Sequence, residues 1–251
     1  MSEEKIIPLT GWAQIDSETF SPGEIVPQVG GKIDVDMSKI IEWRKKMQSE
    51  IEQKINLRLT FAPIFVQVVA QIIEEFPLAN ATIKDNQIHV NPDINIGLVM
   101  SAGVKGEAGP VVVIREANKK TLEELVSMIH NLSKKVKKDS WGLASLSQQD
   151  DKVAKRLQKI ASAMRGKPTF ILNIFGLYGV DIHMPFLPPG QGVVLVISRI
   201  TKRPVVVKDE IVIRPMSTLY AACDHRLASG VVGARFLRRI KQVLENVELK
   251  K

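Results

Sequence analysis

The 251-residue chain is 45% hydrophobic and 25% charged, ordinary values for a globular protein with a core to bury. Its longest apolar run, Val193–Ile197, is strand-sized, which excludes a bilayer span, and Met1-Ser2-Glu3-Glu4-Lys5 has no apolar signal stretch. The net charge of +8 is spread along the chain without an aromatic-rich or zinc-type motif, so neither nucleic acid nor membrane is an expected partner.

Residues 1–31 are rich in Gly and Pro and predict an extended arm, followed by one domain over 32–251. After Asp36, apolar Ile40, Ile41, Trp43 and Met47 recur at helical spacing to about Gln53. A second helix follows Thr60, with Pro63 in its first turn. It is apolar on most sides and predicted to be buried. Ala81–Ile83 and Ile88–Val90 predict a hairpin across Lys84-Asp85-Asn86-Gln87. Ile94–Met100 and Val111–Arg115 are strand-like and flank a Gly-rich stretch, Gly103–Gly109. Thr121-Leu122-Glu123-Glu124 is a capping box that opens a helix to about Lys138. Lys134, Lys135, Lys137 and Lys138 then fall at its end, where the helix dipole favours cations.

A polar stretch, Ser140–Gln149, leads to a predicted helix over Asp151–Met164. The last third reads as strands: Thr169–Phe175, Gly192–Ile200, Pro204–Val207, Ile211–Pro215 and Leu219–Cys223. Val193–Ile197 is apolar throughout, as in a strand covered on both faces. An amphipathic helix, Val231–Val247, closes the chain. The pattern is α/β or α+β, with helices packed on a largely β layer.

Chemistry is sparse. His89 sits in a hairpin strand and His130 in a helix, neither near an acid or nucleophile, and His183 lies in the loop Asp181–Pro185. No histidine–cysteine or carboxylate grouping has metal-ligand spacing, so no metal is expected. No nucleophile elbow, Walker or dinucleotide fingerprint occurs. His225 differs, since it follows a strand, stands between Asp224 and Arg226, and precedes the helix-opening glycine. A neutral imidazole there can take a proton from a thiol or hydroxyl. An isolated Asp-His-Arg triplet is more often structural. Cys223, two residues earlier, shares a strand face with His225 and reads first as a small buried side chain, with redox sensitivity as the alternative. As the only cysteine it permits no internal disulfide and points to a cytoplasmic setting.

The surrounding motifs give this histidine a context. Asp224-His225-Arg226-Leu227-Ala228-Ser229-Gly230 resembles the signature of dihydrolipoamide acyltransferase cores, whose His-x-x-x-Asp-Gly centre chloramphenicol acetyltransferase shares. Phe76-Pro77-Leu78-Ala79-Asn80-Ala81, Asn95-Ile96-Gly97, Lys119–Leu122, Arg199–Pro204 and Arg214-Pro215-Met216 match the family in order over roughly residues 32–248. The resemblance implies a chloramphenicol acetyltransferase-like two-layer sandwich, with a mixed sheet, that forms a homotrimer. It also implies acyl transfer between coenzyme A and a dihydrolipoyl thiol in a channel between subunits, with His225 as general base.

Two positions depart from the family pattern. Asn173 stands where the family has a Ser or Thr that donates to the oxyanion, and an amide can still donate. Ser229 stands where the motif has Asp or Asn, so no ion pair is available there. Both remain candidate site residues, and together they also fit a catalytically impaired scaffold subunit. The chain shows no lipoyl or peripheral-subunit-binding domain, and Asp151-Lys152 lies in a helix pattern rather than a lipoylation hairpin. A lipoyl group would therefore come from a separate carrier, with dehydrogenase subunits as further partners. A stand-alone small-molecule acetyltransferase is the other alternative. The ending Glu248-Leu249-Lys250-Lys251 predicts weak contacts between trimers, because burying lysines is unfavourable. Arg226, Arg235, Lys202 and Arg203 read as solvated cations that could include a contact to coenzyme A phosphates.

Overall fold

The computed structural model describes residues 26–100, 111–144 and 168–249. Within them lie β1 (Gln28–Asp36), α1 (Ser38–Ile55), α2 (Phe61–Glu75), β2 (Ala81–Lys84), β3 (Gln87–Val90), β4 (Ile96–Val99) and β5 (Val111–Ile114). They are followed by α3 (Leu122–Ala144), β6 (Phe170–Ile174), β7 (Val193–Ile197), β8 (Thr201–Val207), β9 (Glu210–Asp224) and α4 (Gly230–Asn246).

Seven strands form one mixed sheet in the order β1-β9-β7-β6-β4-β5, and β8 pairs with the outer half of β9. Strands β4, β6 and β7 are parallel, whereas β1, β9 and β5 run antiparallel to their neighbours. Alternation splits the strands between two faces. Phe170, Leu172, Val193, Leu195, Ile197 and Leu219 point into a single core with residues of all four helices. Ile171, Val194, Val196, Tyr220 and Ala222 point to the other face, where Leu187 and Phe175 pack on them and, among the described residues, no α-helix joins. The result is the expected two-layer sandwich, with helices on one face of the sheet.

Local sequence explains most boundaries. Asp36 accepts the Ser38 amide at 2.9 Å at the start of α1, and Asn56 ends it in the left-handed region. Helix α2 is buried along most of its length, as its apolar circumference predicts. The Thr121–Glu124 capping box forms reciprocally, with bonds of 2.8 and 3.2 Å. Asp85 and Asn86 take the two left-handed positions of the β2–β3 turn.

Three expectations change. Helix α3 runs on to Ala144, so Lys134 and Lys135 lie inside it, exposed, rather than at its end. Ile211–Pro215 and Leu219–Cys223 are halves of one continuous strand, β9. Proline lacks a donor but keeps its carbonyl, and that of Pro215 accepts the Met37 amide at 2.8 Å. Residues 28–31, read as part of an arm, already pair with β9 as the start of β1. The Gly103–Gly109 stretch and the Asp151–Met164 helix lie outside the described residues, as do residues 1–25.

Asn80, of the Phe76–Ala81 motif, locks the β2–β3 hairpin to β6. Its amide nitrogen donates to the carbonyls of Asn91 and Asp93 at 3.1 and 2.9 Å, and its oxygen accepts from the Thr169 hydroxyl at 2.9 Å. Asn80 and Thr169 are both buried, so every partner left unpaired would carry its desolvation penalty. Asn80→Ala is expected to lower the unfolding free energy by roughly 2–4 kcal/mol in a denaturant titration. An unchanged midpoint would remove Asn80 from the fold's main anchors.

Candidate active site

His225 is the first residue beyond β9, and its amide still follows the ladder, donating to the Pro27 carbonyl at 2.7 Å. The chain then turns tightly. Leu227 and Ala228 both donate their amides to the Asp224 carbonyl, at 2.9 and 3.2 Å. The Asp224 carboxylate is buried, yet fully engaged. Its Oδ1 accepts from the Arg226 amide and Nε, both at 3.0 Å, and its Oδ2 accepts from Nη2 at 2.7 Å. A forked guanidinium–carboxylate pair of this kind is geometrically specific. The outer two residues of the triplet are thus structural: Asp224 and Arg226 clamp the turn, and His225 is left exposed on it. The sequence offered Asp224 only as a neighbour of His225. Its burial and its fork to Arg226 are what structure adds.

Ser229 caps α4 in extended conformation, exposed, with no side-chain capping bond. It lies four residues from His225, on the same turn. Asn173 lies elsewhere. It is half-buried near the end of β6, opposite Val196 of β7, which is opposite Tyr220 of β9. Asn173 therefore faces the helix-free side with Val196 and Tyr220, while Cys223 and the position of His225 alternate onto the helix side. The register also separates them by roughly 17 Å along the strands and roughly 10 Å across two strand spacings. One chain does not bring Asn173 to His225.

The other candidates resolve as follows. His89 is on the outer hairpin and exposed, and His130 is half-buried in α3. His183 stacks on Phe175, with ring centroids 4.2 Å apart, and Phe175 packs in turn on Tyr178. Cys223 is buried, its Sγ 3.9 Å from the Ala228 carbonyl, and burial pushes its thiol pKa up, against the redox alternative. Of the cations, Arg226 is paired to Asp224, and Arg203 bonds to Asp34 at 3.2 Å and to Thr218 at 3.0 Å. Lys202 and Arg235 are exposed. Among the described residues no group of three or more His, Cys, Asp or Glu side chains could hold a metal, and no helix is long and apolar enough to cross a membrane.

Sheet order and, among the described residues, helices on one face give a sandwich of the chloramphenicol acetyltransferase type. Chloramphenicol acetyltransferase itself superposes with a TM-score of 0.53 at 11% identity, over 96% of this chain and 99% of its own. A probable dihydrolipoamide acetyltransferase from Listeria monocytogenes superposes at 0.77 with 26% identity, over 97% of this chain and 95% of its own. The Azotobacter vinelandii dihydrolipoamide acetyltransferase does so at 0.79 with 22% identity, over 98% and 93%. The chain belongs to the 2-oxoacid dehydrogenases acyltransferase (catalytic domain) family, which it matches over residues 2–250. It is 29% identical to the lipoamide acyltransferase component of the branched-chain alpha-keto acid dehydrogenase complex of Bacillus subtilis, over 98% of this chain and 54% of that protein. It is 32% identical to a dihydrolipoyllysine-residue succinyltransferase component from Pseudomonas aeruginosa, over 85% and 47%. The chain spans about half the length of these curated relatives.

Burial holds the His183 imidazole below its usual pKa. As pH falls through about 6.5 the unfolded chain takes up the proton before the folded one does, so stability is lost toward acid. Thermal unfolding midpoints between pH 7 and 5 should therefore fall more steeply in the unmodified protein than in His183→Phe. Parallel slopes would contradict a neutral, stacked His183.

Proposed function

We propose that the protein transfers acyl groups between coenzyme A and a dihydrolipoyl thiol, in a cleft where His225 of one copy meets Asn173 of another. The observation that carries this reading is the histidine held exposed by a buried Asp224–Arg226 fork in a chain of this family. The spacing agrees: Asn173 lies 52 positions before His225 and Ser229 four after it. The serine, histidine and asparagine named for the catalytic mechanism of the Azotobacter enzyme are spaced identically.

The chemistry follows from the groups present. An ordinary thiol, with pKa near ~8.5, is mostly protonated at neutral pH. His225 takes that proton as the sulfur attacks the thioester carbonyl carbon. The carbonyl oxygen becomes an oxyanion, and the Asn173 amide donates a hydrogen bond to it. Collapse breaks the original carbon–sulfur bond, and the departing thiolate takes the proton back from His225. Ser229 contributes an uncharged hydroxyl on the His225 side, able to hydrogen-bond to substrate but not to form an ion pair.

Asn173 and His225 sit at opposite ends and on opposite faces of the sheet, so they meet only between copies, and the homotrimer that the family resemblance implies is the assembly in which neighbours complete each other's sites. Coenzyme A acts as a substrate, and no metal takes part. The dihydrolipoyl arm arrives from outside this 251-residue segment, on a lipoyl carrier that works with dehydrogenase subunits. A reducing cytoplasm suits a protein whose one cysteine is a buried free thiol. A second reading, an impaired scaffold subunit of such a complex, draws on Asn173 and Ser229, which both differ from the family pattern.

His225→Ala should lower acyl transfer from acyl-CoA to dihydrolipoamide by roughly 10²–10⁴-fold. Asn173→Ala should lower it by roughly 10²–10³-fold. Equal rates in the unmodified protein and His225→Ala would contradict the mechanism, and no transfer by the unmodified protein would favour the scaffold.

A further inference from the structure

An apolar cavity of about 410 Å³ lies between the sheet and the start of α4. Its wall includes Gly31, Phe76, Ala221, Cys223, Ala228 and Gly233. The cavity is partly open to solvent. The gap exists because small residues stand where strand and helix would otherwise interdigitate. A Cβ on Gly233 would meet nothing within 4 Å, one on Gly31 only Leu237 Cδ1 at 3.7 Å, and one on Gly230 only Val29 Cγ2 at 4.0 Å. None of the three has a positive φ. Backbone conformation therefore does not require glycine at these places, and what the glycines leave is space.

Position and polarity point to an occupant. Cys223, Leu227 and Ala228 belong to the wall, so the chain on both sides of His225 borders the cavity, on the face that Cys223 shares with His225. Among the described residues, two charged ones border it, Lys32 and Glu75. Lys32 alternates with Gly31 and Ile33 along β1, so its side chain leaves on the other face. Glu75 is held outside by Arg239, at 2.8 and 3.1 Å. Among the described residues of the wall, no cation is free to neutralise a carboxylate. The volume falls in the range of pockets that enclose drug-sized ligands, well beyond the need of a two-carbon group.

We propose that this cavity receives the hydrocarbon tail of the transferred acyl group, and that the protein selects branched or medium-length apolar acyl groups over acetyl and succinyl. This rests on the acyl-transfer reading above and adds the substrate class to it.

The test uses the full chain with acetyl-, isovaleryl-, hexanoyl- and succinyl-CoA. With dihydrolipoamide as acceptor, kcat/KM for isovaleryl- or hexanoyl-CoA should exceed that for acetyl-CoA by about tenfold or more, with succinyl-CoA poorest. Gly233→Leu projects a helix-compatible side chain into the gap and should shrink the isovaleryl-to-acetyl ratio by about tenfold. Gly233→Ala, the milder filling, should shrink the hexanoyl-to-acetyl ratio in the same direction. Preference for acetyl or succinyl, or variants that slow every acyl group alike, would overturn the pocket. Calorimetric binding separates this from failure of the catalytic reading, since it needs no turnover. Isovaleryl-CoA should bind more tightly than acetyl-CoA, and Gly233→Leu should erase the difference. Equal affinities would overturn the proposal, as they would if a neighbouring copy filled the cavity. Discriminating binding without transfer would overturn the acyl-transfer reading alone.

Discussion

Backbone hydrogen bonds running from β6 through β7 to β9 fix Asn173 and His225 at opposite ends of one sheet. No rotamer change can close that separation, because both positions belong to paired strands or continue one. The parity of the strands adds a second constraint. Asn173 shares the helix-free face with Val196 and Tyr220, whereas Cys223 and His225 alternate onto the helix side. In the proposed roles of general base and oxyanion donor, residues placed this way serve one reaction only across a boundary between copies. Head-to-tail contacts that close into a ring supply such boundaries, each pairing one end of a chain with the other end of its neighbour.

The remainder of the fold holds those two ends still. At one end, a buried carboxylate, that of Asp224, forks to Arg226 of the same turn and fixes the loop that carries the imidazole. Removing either partner of that pair would leave the other poorly compensated. At the other end, Thr169 ties the start of β6 to Asn80, and through it to the β2–β3 hairpin. Both devices use fully satisfied buried polar groups, which position more sharply than apolar packing does. The apolar cavity is the contrasting case, where side chains are withheld rather than added.

Much of this was legible in the sequence where the signal is local. The Thr121–Glu124 box, the all-round apolar α2, the Asp85-Asn86 turn and the Val193–Ile197 strand each announce themselves within a few residues. Where pairing is long-range the sequence misleads. Gly30 and Gly31 read as part of an extended arm outside the domain, yet they pair with Ala222 and Ala221, and a side chain on Gly30 would collide with the Tyr220 ring. Pro215 reads as a strand end because its missing amide is a local property, while the partner for its carbonyl lies far away in sequence, at Met37. His225, Asn173 and Ser229 were found through family motifs, and the spacing could not show that the first two stand apart. That requires the register of three strands. The α3 lysines were misplaced for a simpler reason, since the helix continues to Ala144, into the polar stretch that was read as following it.

Mixed oligomers test the shared site most directly. His225→Ala and Asn173→Ala are each expected to be nearly inactive alone. Co-assembled at equal ratio, they place an intact His225 beside an intact Asn173 at about a quarter of the boundaries, and acyl transfer should recover to about that fraction of the unmodified rate. If mixing restores nothing, although the two variants are shown to share oligomers, the two residues do not act across a boundary and the account is wrong.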